Sequence, residues 1–207
     1  MDTIESIRLN VKRILGLIEE RELKLRIGLP LRPFLIALDG RCGSGKTTLA
    51  TALRHALERR IPKPVITVVH MDDFYLRPEQ RTVERFQTPG GNVDYERFNE
   101  EVLDRLASNK DFTYRPFDCS SMTLGESVAV HPSHVVIIEG SYSLHPKLRE
   151  NYDLKVFLDI EPEEQQKRIL MRNGEEKLLQ FKERWIPLEE LYFDKCAVRE
   201  CADLIIE

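Results

Sequence analysis

The eight residues Gly40-Arg41-Cys42-Gly43-Ser44-Gly45-Lys46-Thr47 match the pattern GxxxxGK[ST] in full. No other feature constrains the chain as tightly. Glycines at these positions let the backbone curl so that successive N–H groups point at one anionic centre. The run before it, FLIALD (34–39), is short, apolar and rich in strand formers. After it, Lys46 to Arg59 puts Leu49, Leu53, Ala56 and Leu57 on one helical face. Strand, glycine-rich turn and helix, in that order, is the context in which a loop and a helix N-terminus together hold phosphate. Lys46 is then placed to reach terminal phosphates and the Thr47 hydroxyl to ligate Mg²⁺. Cys42 reads as a variable loop position.

The rest of the chain alternates strand and helix signals. PVITVVH (64–70), VVII within SHVVIIEG (133–140), LKVFLDI (154–160) and ADLIIE (202–207) read as strands. Residues 94–106, 163–172 (after Pro162) and 187–202 read as helices, and FTYRPF (112–117) as a further strand. This alternation predicts an α/β fold with a mainly parallel sheet flanked by helices. Ahead of it, Ile4, Ile7, Val11, Ile14, Leu15 and Ile18 recur at helical spacing, and Pro30 and Pro33 stop any continuation. The expected organisation is an N-terminal amphipathic helix and connector (1–33) followed by one domain (34–207). The helix is expected to pack on the sheet of that domain; a homo-oligomer contact is its other use. The polar stretch Leu76 to Val93, with Pro89-Gly90-Gly91, suits a mobile or substrate-covering segment.

Composition narrows the function classes. Of 207 residues, 31 are Lys or Arg and 35 Asp or Glu, a net charge of -4. That balance argues against a nucleic-acid partner, which needs surplus cations. No apolar run is long enough to cross a membrane. MDTIESIRLN has no secretory character, so a cytoplasmic protein with reduced thiols is expected. Cys42, Cys119, Cys196 and Cys201 form no CxxC pair, and the five histidines form no HExxH pattern. Any metal is therefore expected to come with the nucleotide.

Asn109-Lys110-Asp111-Phe112 fails the guanine-reading NKxD pattern at its fourth position, which leaves a small phosphotransferase. Two segments support that reading. Asp72 and Asp73, in His70-Met71-Asp72-Asp73-Phe74-Tyr75, follow the second strand, where open α/β sheets bind ligands. Asp72 suits the acceptance of a proton from an attacking hydroxyl. Glu139 follows the buried run Val135 to Ile138, as an acidic residue near Mg²⁺ does in nucleotide sites.

With GRCGSGKTTLA, HMDDFY, NVDYERF, the RPFD patch, VVIIEGSYSL, DLKVFLDI, the Arg-bearing helix 163–172 and CADLIIE in this order, the chain resembles the uridine kinase and phosphoribulokinase superfamily of P-loop kinases. The resemblance covers roughly residues 34 to 206. It implies a P-loop NTPase fold with a lid, here short, since Arg172-Asn173-Gly174 ends the helix quickly. It implies ATP as co-substrate, bound by Gly40, Arg41, Cys42, Gly43, Ser44, Gly45, Lys46, Thr47 and Thr48, with Mg²⁺ at Thr47 and Glu139. It implies Asp72 as catalytic base, Lys46, Arg168 and Arg172 as clamps on the phosphates, Asp94 on ribose hydroxyls and Tyr75 lining the acceptor pocket. The acceptor it implies is a primary hydroxyl, first of all that of a ribonucleoside such as uridine or cytidine.

The chain departs from that pattern where the pyrimidine is read. Phe117-Asp118-Cys119 stands in place of YDF, and Met122 in place of a His. A thioether cannot donate the hydrogen bond that an imidazole gives. This keeps a non-nucleoside acceptor in view: pantothenate, a sugar phosphate or a glycerate-like acid. A non-catalytic nucleotide-dependent binding protein is the remaining alternative.

Overall fold

The computed structural model describes residues 3–21, 31–60 and 65–207. Five strands form the central parallel sheet: β1 (Phe34–Gly40), β2 (Ile66–His70), β7 (Val135–Glu139), β8 (Leu154–Leu158) and β9 (Leu204–Ile206), in the order β2-β7-β1-β8-β9. Four short strands lie outside it. β3 (Phe112–Tyr114) pairs with β6 (Val128–Val130), and β4 (Phe117–Asp118) with β5 (Thr123–Leu124), both antiparallel.

Every residue of β1 and β7 is buried, because helices cover both faces of the sheet and leave no solvent side for polar alternation. The two-residue strand period sorts the side chains between the layers. Phe34, Ile36 and Leu38 join Val135 and Ile137 against α1 (Thr3–Arg21) and α2 (Lys46–Glu58). Leu35, Ala37, Val136 and Ile138 face the second layer, which holds Phe74, Phe98, Tyr142 and Tyr192. Val11, Ile14, Leu15 and Ile18 of α1 are buried in the first of these clusters, so the helix packs on the sheet as expected. Pro30 and Pro64, which carried readings of the sequence, lie outside the described residues.

Three parts of the fold differ from the sequence reading. The helix expected over 94–106 starts one residue later. Asp94 is its N-cap, accepting the Arg97 N–H at 3.1 Å. It then runs as α4 (Tyr95–Phe98), a π-turn over Asn99–Leu103 and α5 (Asp104–Leu106). The strand expected over 112–117 breaks at Arg115-Pro116, since Pro has no N–H for a ladder. The helix expected from Pro187 begins much earlier. After α6 (Pro162–Asn173), Gly174 at φ 80 turns the chain into α7 (Glu175–Gln180), a π-turn over Phe181–Trp185 and α8 (Ile186–Lys195). The segment expected to form a short lid is thus a longer helix–turn–helix. The helix breaks at Cys196-Ala197, with Ala197 left-handed, before α9 (Val198–Cys201).

The stretch 76–93 is folded on itself. It contains a 3₁₀ turn over Pro78–Gln80 and α3 (Val83–Gln87), and Tyr75 bridges to Val93. Arg85 ties its end down by donating to the carbonyls of Gly91 and Val93 and to both oxygens of Glu96.

The register sets the functional end of the sheet. Leu38 lies beside Glu139, His70 beside Glu139, and Gly40 beside Leu158. Gly40 has φ 135, and a Cβ there would stand 2.0 Å from the Leu158 carbonyl oxygen. Gly40→Ala should therefore cost about 3 kcal/mol or more in urea unfolding. Gly174→Ala, at φ 80 and ψ 174 with nothing within 4 Å of the added carbon, should cost only backbone strain, about 1–3 kcal/mol and less than Gly40→Ala. Equal losses at the two positions would contradict the close approach of β1 and β8.

Candidate active site

The end of β1 leads into the loop, which closes on itself. Ser44 N donates to the Arg41 carbonyl at 3.1 Å, and Gly45, at φ 96, opens α2. Buried Lys46 donates through Nζ to the Gly40 and Arg41 carbonyls at 2.8 and 2.9 Å and to Ser141 Oγ at 3.3 Å. Its ammonium is thus parked on neutral acceptors. Arg41 points elsewhere: it pairs with Asp159 at 2.7 Å and with Glu190, and so anchors the loop to the end of β8 and to α8.

Glu139 and Thr47 meet at the end of β7. The Thr47 hydroxyl donates to both Glu139 oxygens, at 3.1 and 3.2 Å. His70 Nδ1 lies 2.6 Å from Glu139 Oε1, and that contact raises the imidazole pKa above its usual value. Among the described residues, no group of three His, Cys, Asp or Glu could hold a metal ion. One hydroxyl and one carboxylate converging on a point do fit Mg²⁺ whose other ligands are phosphate oxygens.

The turn after Glu139 is organised by buried Asp39. It accepts from Gly40 N, Tyr142 N, Leu144 N and the Tyr192 hydroxyl at 2.7 to 3.0 Å. Burial nonetheless pushes its pKa up to about 6. These bonds hold Tyr142 at φ 73, a conformation that non-glycine residues rarely adopt.

These elements border a cleft of about 740 Å³, a volume typical of small-ligand sites. Loop residues Cys42, Gly43, Gly45, Lys46, Thr47 and Thr48 line one end. Asp72 and Tyr75 line it from the segment after β2, and the Tyr75 hydroxyl donates to Asp72 at 3.1 Å. The neighbouring carboxylate is turned away, since Asp73 accepts the Tyr114 hydroxyl at 2.8 Å. The adjacent acids therefore divide into one that faces ligand and one that holds structure. Arg168 and Arg172, one turn apart on α6, both reach the cleft. Arg168 donates to Glu164 at 2.9 Å and to the Gly43 carbonyl at 3.3 Å, and Arg172 to Asn173 at 2.8 Å.

Three candidate acceptor residues stand outside this lining. Asp94 is buried as a helix cap, accepts from Gln80 Nε2 at 2.8 Å, and borders a separate groove of about 580 Å³ with Arg77, Arg85 and Arg97. Phe117 is buried in the β4–β5 hairpin. Met122, at φ 57, turns its sulfur to Arg81.

The structure adds lining residues that the sequence reading missed: Arg81, Asn92, Cys119, Phe181, Trp185 and Glu189. The i, i+4 spacing of Phe181 and Trp185 was the signal for a shared aromatic face. Glu189 had none, because its partner lies 147 positions away. Its two oxygens accept the Cys42 N–H at 3.1 Å each and Ser141 Oγ at 2.8 Å. Burial, followed by the Glu189 charge, pushes the Cys42 thiol up to about 12, so it stays neutral. A carboxylate thus occupies the Cys42 N–H, within the loop expected to take phosphate. Glu189→Gln should tighten ADP binding about tenfold by removing a negative charge from the loop. A titration showing equal or weaker binding would contradict this charge effect.

The comparison with known proteins decides the family. A model of the phosphoribulokinase/uridine kinase family matches residues 35–177, more than half of the chain. The chain belongs to this family. Among curated relatives of this kinase, uridine kinase of Alkaliphilus metalliredigens is 29% identical over 153 residues, covering 70% of this chain and 71% of that protein. Uridine-cytidine kinase B of Dictyostelium discoideum is 31% identical over 153 residues, covering 70% and 60%. A solved Bacillus stearothermophilus protein, described as a possible uridine kinase, superimposes with a TM-score of 0.73 over 100% of both chains at 22% identity, a likeness of fold. The P-loop kinase fold and the α/β sheet expected from the sequence are those of this family member. No helix among the described residues is long and apolar enough to cross a membrane.

Proposed function

We propose that this kinase transfers the γ-phosphoryl group of ATP to the hydroxyl of a small-molecule alcohol, with Asp72 as general base. The observation that carries the reading is the shared cleft: the loop with Lys46, the Thr47–Glu139 pair, Asp72 and the two α6 arginines all border it. Thr47 and Glu139 would hold Mg²⁺, which neutralises phosphate charge when bound. The loop and Lys46 bind the phosphates, and Lys46 exchanges its carbonyl partners for phosphate oxygens. Arg168 and Arg172 stabilise charge on the transferring group. Asp72 orients the acceptor hydroxyl and takes its proton, while Tyr75 fixes the carboxylate by its hydrogen bond. Phe181 and Trp185, from the lid side, exclude water. The free cysteines and the demand for ATP suit a cytoplasmic enzyme.

Within this reading, a ribonucleoside such as uridine or cytidine is supported by the names of the sequence relatives. A non-nucleoside alcohol is supported by the placement of Asp94, Phe117 and Met122 outside the cleft lining. Acceptor-dependent ADP formation, measured with Mg²⁺ and ATP against ribonucleosides, pantothenate, glycerate and sugar phosphates, tests the function. ADP formation that rises with one acceptor and stops on chelation of Mg²⁺ is the expected result. ADP released at one rate whatever the acceptor would contradict it.

A further inference from the structure

Four arginines lie between Leu76 and Phe98: Arg77, Arg81, Arg85 and Arg97. Three have carboxylate partners. Arg77 faces Glu79 and Asp94 at 3.6 Å, Arg85 pairs with Glu96 at 2.7 Å, and Arg97 with Glu101 at 3.2 Å. Arg81 makes no ion pair among the described residues. Its Nε is sealed from solvent without a hydrogen-bond partner, and the guanidinium otherwise meets two sulfurs, Met122 at 3.6 Å and the Cys119 thiol, both weak acceptors. A charged donor left unmade in a sealed position is costly unless a ligand completes it.

Arg81 lines the cleft that holds Asp72. Cys119, which Arg81 hydrogen-bonds, lines the same cleft as Asp72. Burial raises the Cys119 pKa, so the neutral thiol does not neutralise Arg81. Asp118, the next acid, is taken up by Ser120 and Ser121. The phosphate end has its own cations, Lys46, Arg168 and Arg172, and Arg168 bonds the loop directly at Gly43. Phosphoryl transfer therefore leaves Arg81 unused.

We propose that Arg81 is the anion-reading group of the acceptor pocket, so that the acceptor is an alcohol that also carries a carboxylate or phosphate group. This rests on the kinase reading above and names its substrate class. A guanidinium offers two parallel N–H donors to such an oxyanion, and fixing the charged end leaves the hydroxyl to Asp72. A neutral nucleoside presents no charge to satisfy it.

The test uses the full chain saturated with Mg²⁺ and ADP. Trp185, the single tryptophan, lines the cleft and reports binding by fluorescence. Glycerate and pantothenate probe carboxylates, ribose 5-phosphate probes phosphate, and uridine is the neutral comparator. At least one acid should bind about tenfold or more tighter than uridine, and Arg81→Gln should weaken it by about tenfold to hundredfold while ADP affinity stays within about twofold. Arg81→Lys, which keeps the charge, should recover part of the loss, and its urea midpoint shows whether the fold is intact. The inference is overturned if no acid binds the wild type better than uridine, or if Arg81→Gln binds the best acid as the wild type does. Turnover separates the two readings. An acid that binds through Arg81 without ADP formation sinks the phosphotransfer. Uridine phosphorylated at one KM by wild type and Arg81→Gln sinks the anion site and leaves the phosphotransfer standing.

Discussion

Asp72→Asn is expected to lower acceptor-dependent kcat by about 10²–10⁴-fold, the range for removal of a general base. The amide keeps the size of the carboxylate and an oxygen to accept the Tyr75 hydroxyl. It cannot take a proton. The KM for ATP should stay within about twofold, since Asp72 sits apart from the loop in sequence and reaches the cleft from the segment after β2. Asp73→Asn, at the carboxylate bonded to Tyr114, should act on stability more than on turnover. A variant at Asp72 that turned over as the wild type does would remove it from the chemistry.

Lys46→Ala should lose both chemistry and nucleotide affinity. The side chain supplies the one ammonium in the loop, and removing a donor aimed at transition-state charge costs about 10²–10³-fold in kcat. A charge-assisted bond to phosphate is worth about 1.5–3 kcal/mol, so the ATP dissociation constant should rise about tenfold or more. The same substitution strips a donor from the Gly40 and Arg41 carbonyls, at a stability cost of about 1–3 kcal/mol. The urea midpoint therefore has to be read beside the kinetics. Unchanged ATP affinity with a normal midpoint would mean that the loop does not hold the triphosphate.

Much of this site was legible in the sequence because its chemistry is local. GxxxxGK[ST] specifies loop, ammonium and hydroxyl within eight residues, and β1 and β7 announce themselves as buried strands that end at the site. Asp72 and Glu139 follow from position at strand ends. Contacts that join distant segments left no such trace. Glu189 reaches Cys42 across most of the domain, and Arg81 acquires its meaning only when Asp72 and Cys119 are seen in the same cleft. Asp94 shows the converse. Its type and place before an apolar helix suit a cap as well as a ligand, and the structure uses it as a cap. The second helix of the expected lid escaped for a local reason: Gly174 looked like a stop, yet its turn at φ 80 starts a new helix.

The most direct measurement follows the phosphoryl group itself. ATP labelled on its γ-phosphate is incubated with Mg²⁺, the acceptor panel and either wild-type protein or Asp72→Asn, and the products are separated. Label covalently attached to one acceptor with the wild type, and nearly absent with Asp72→Asn, is the expected result. Label recovered only as inorganic phosphate, at one rate with and without acceptors and in both proteins, would contradict phosphotransfer to an alcohol by this site.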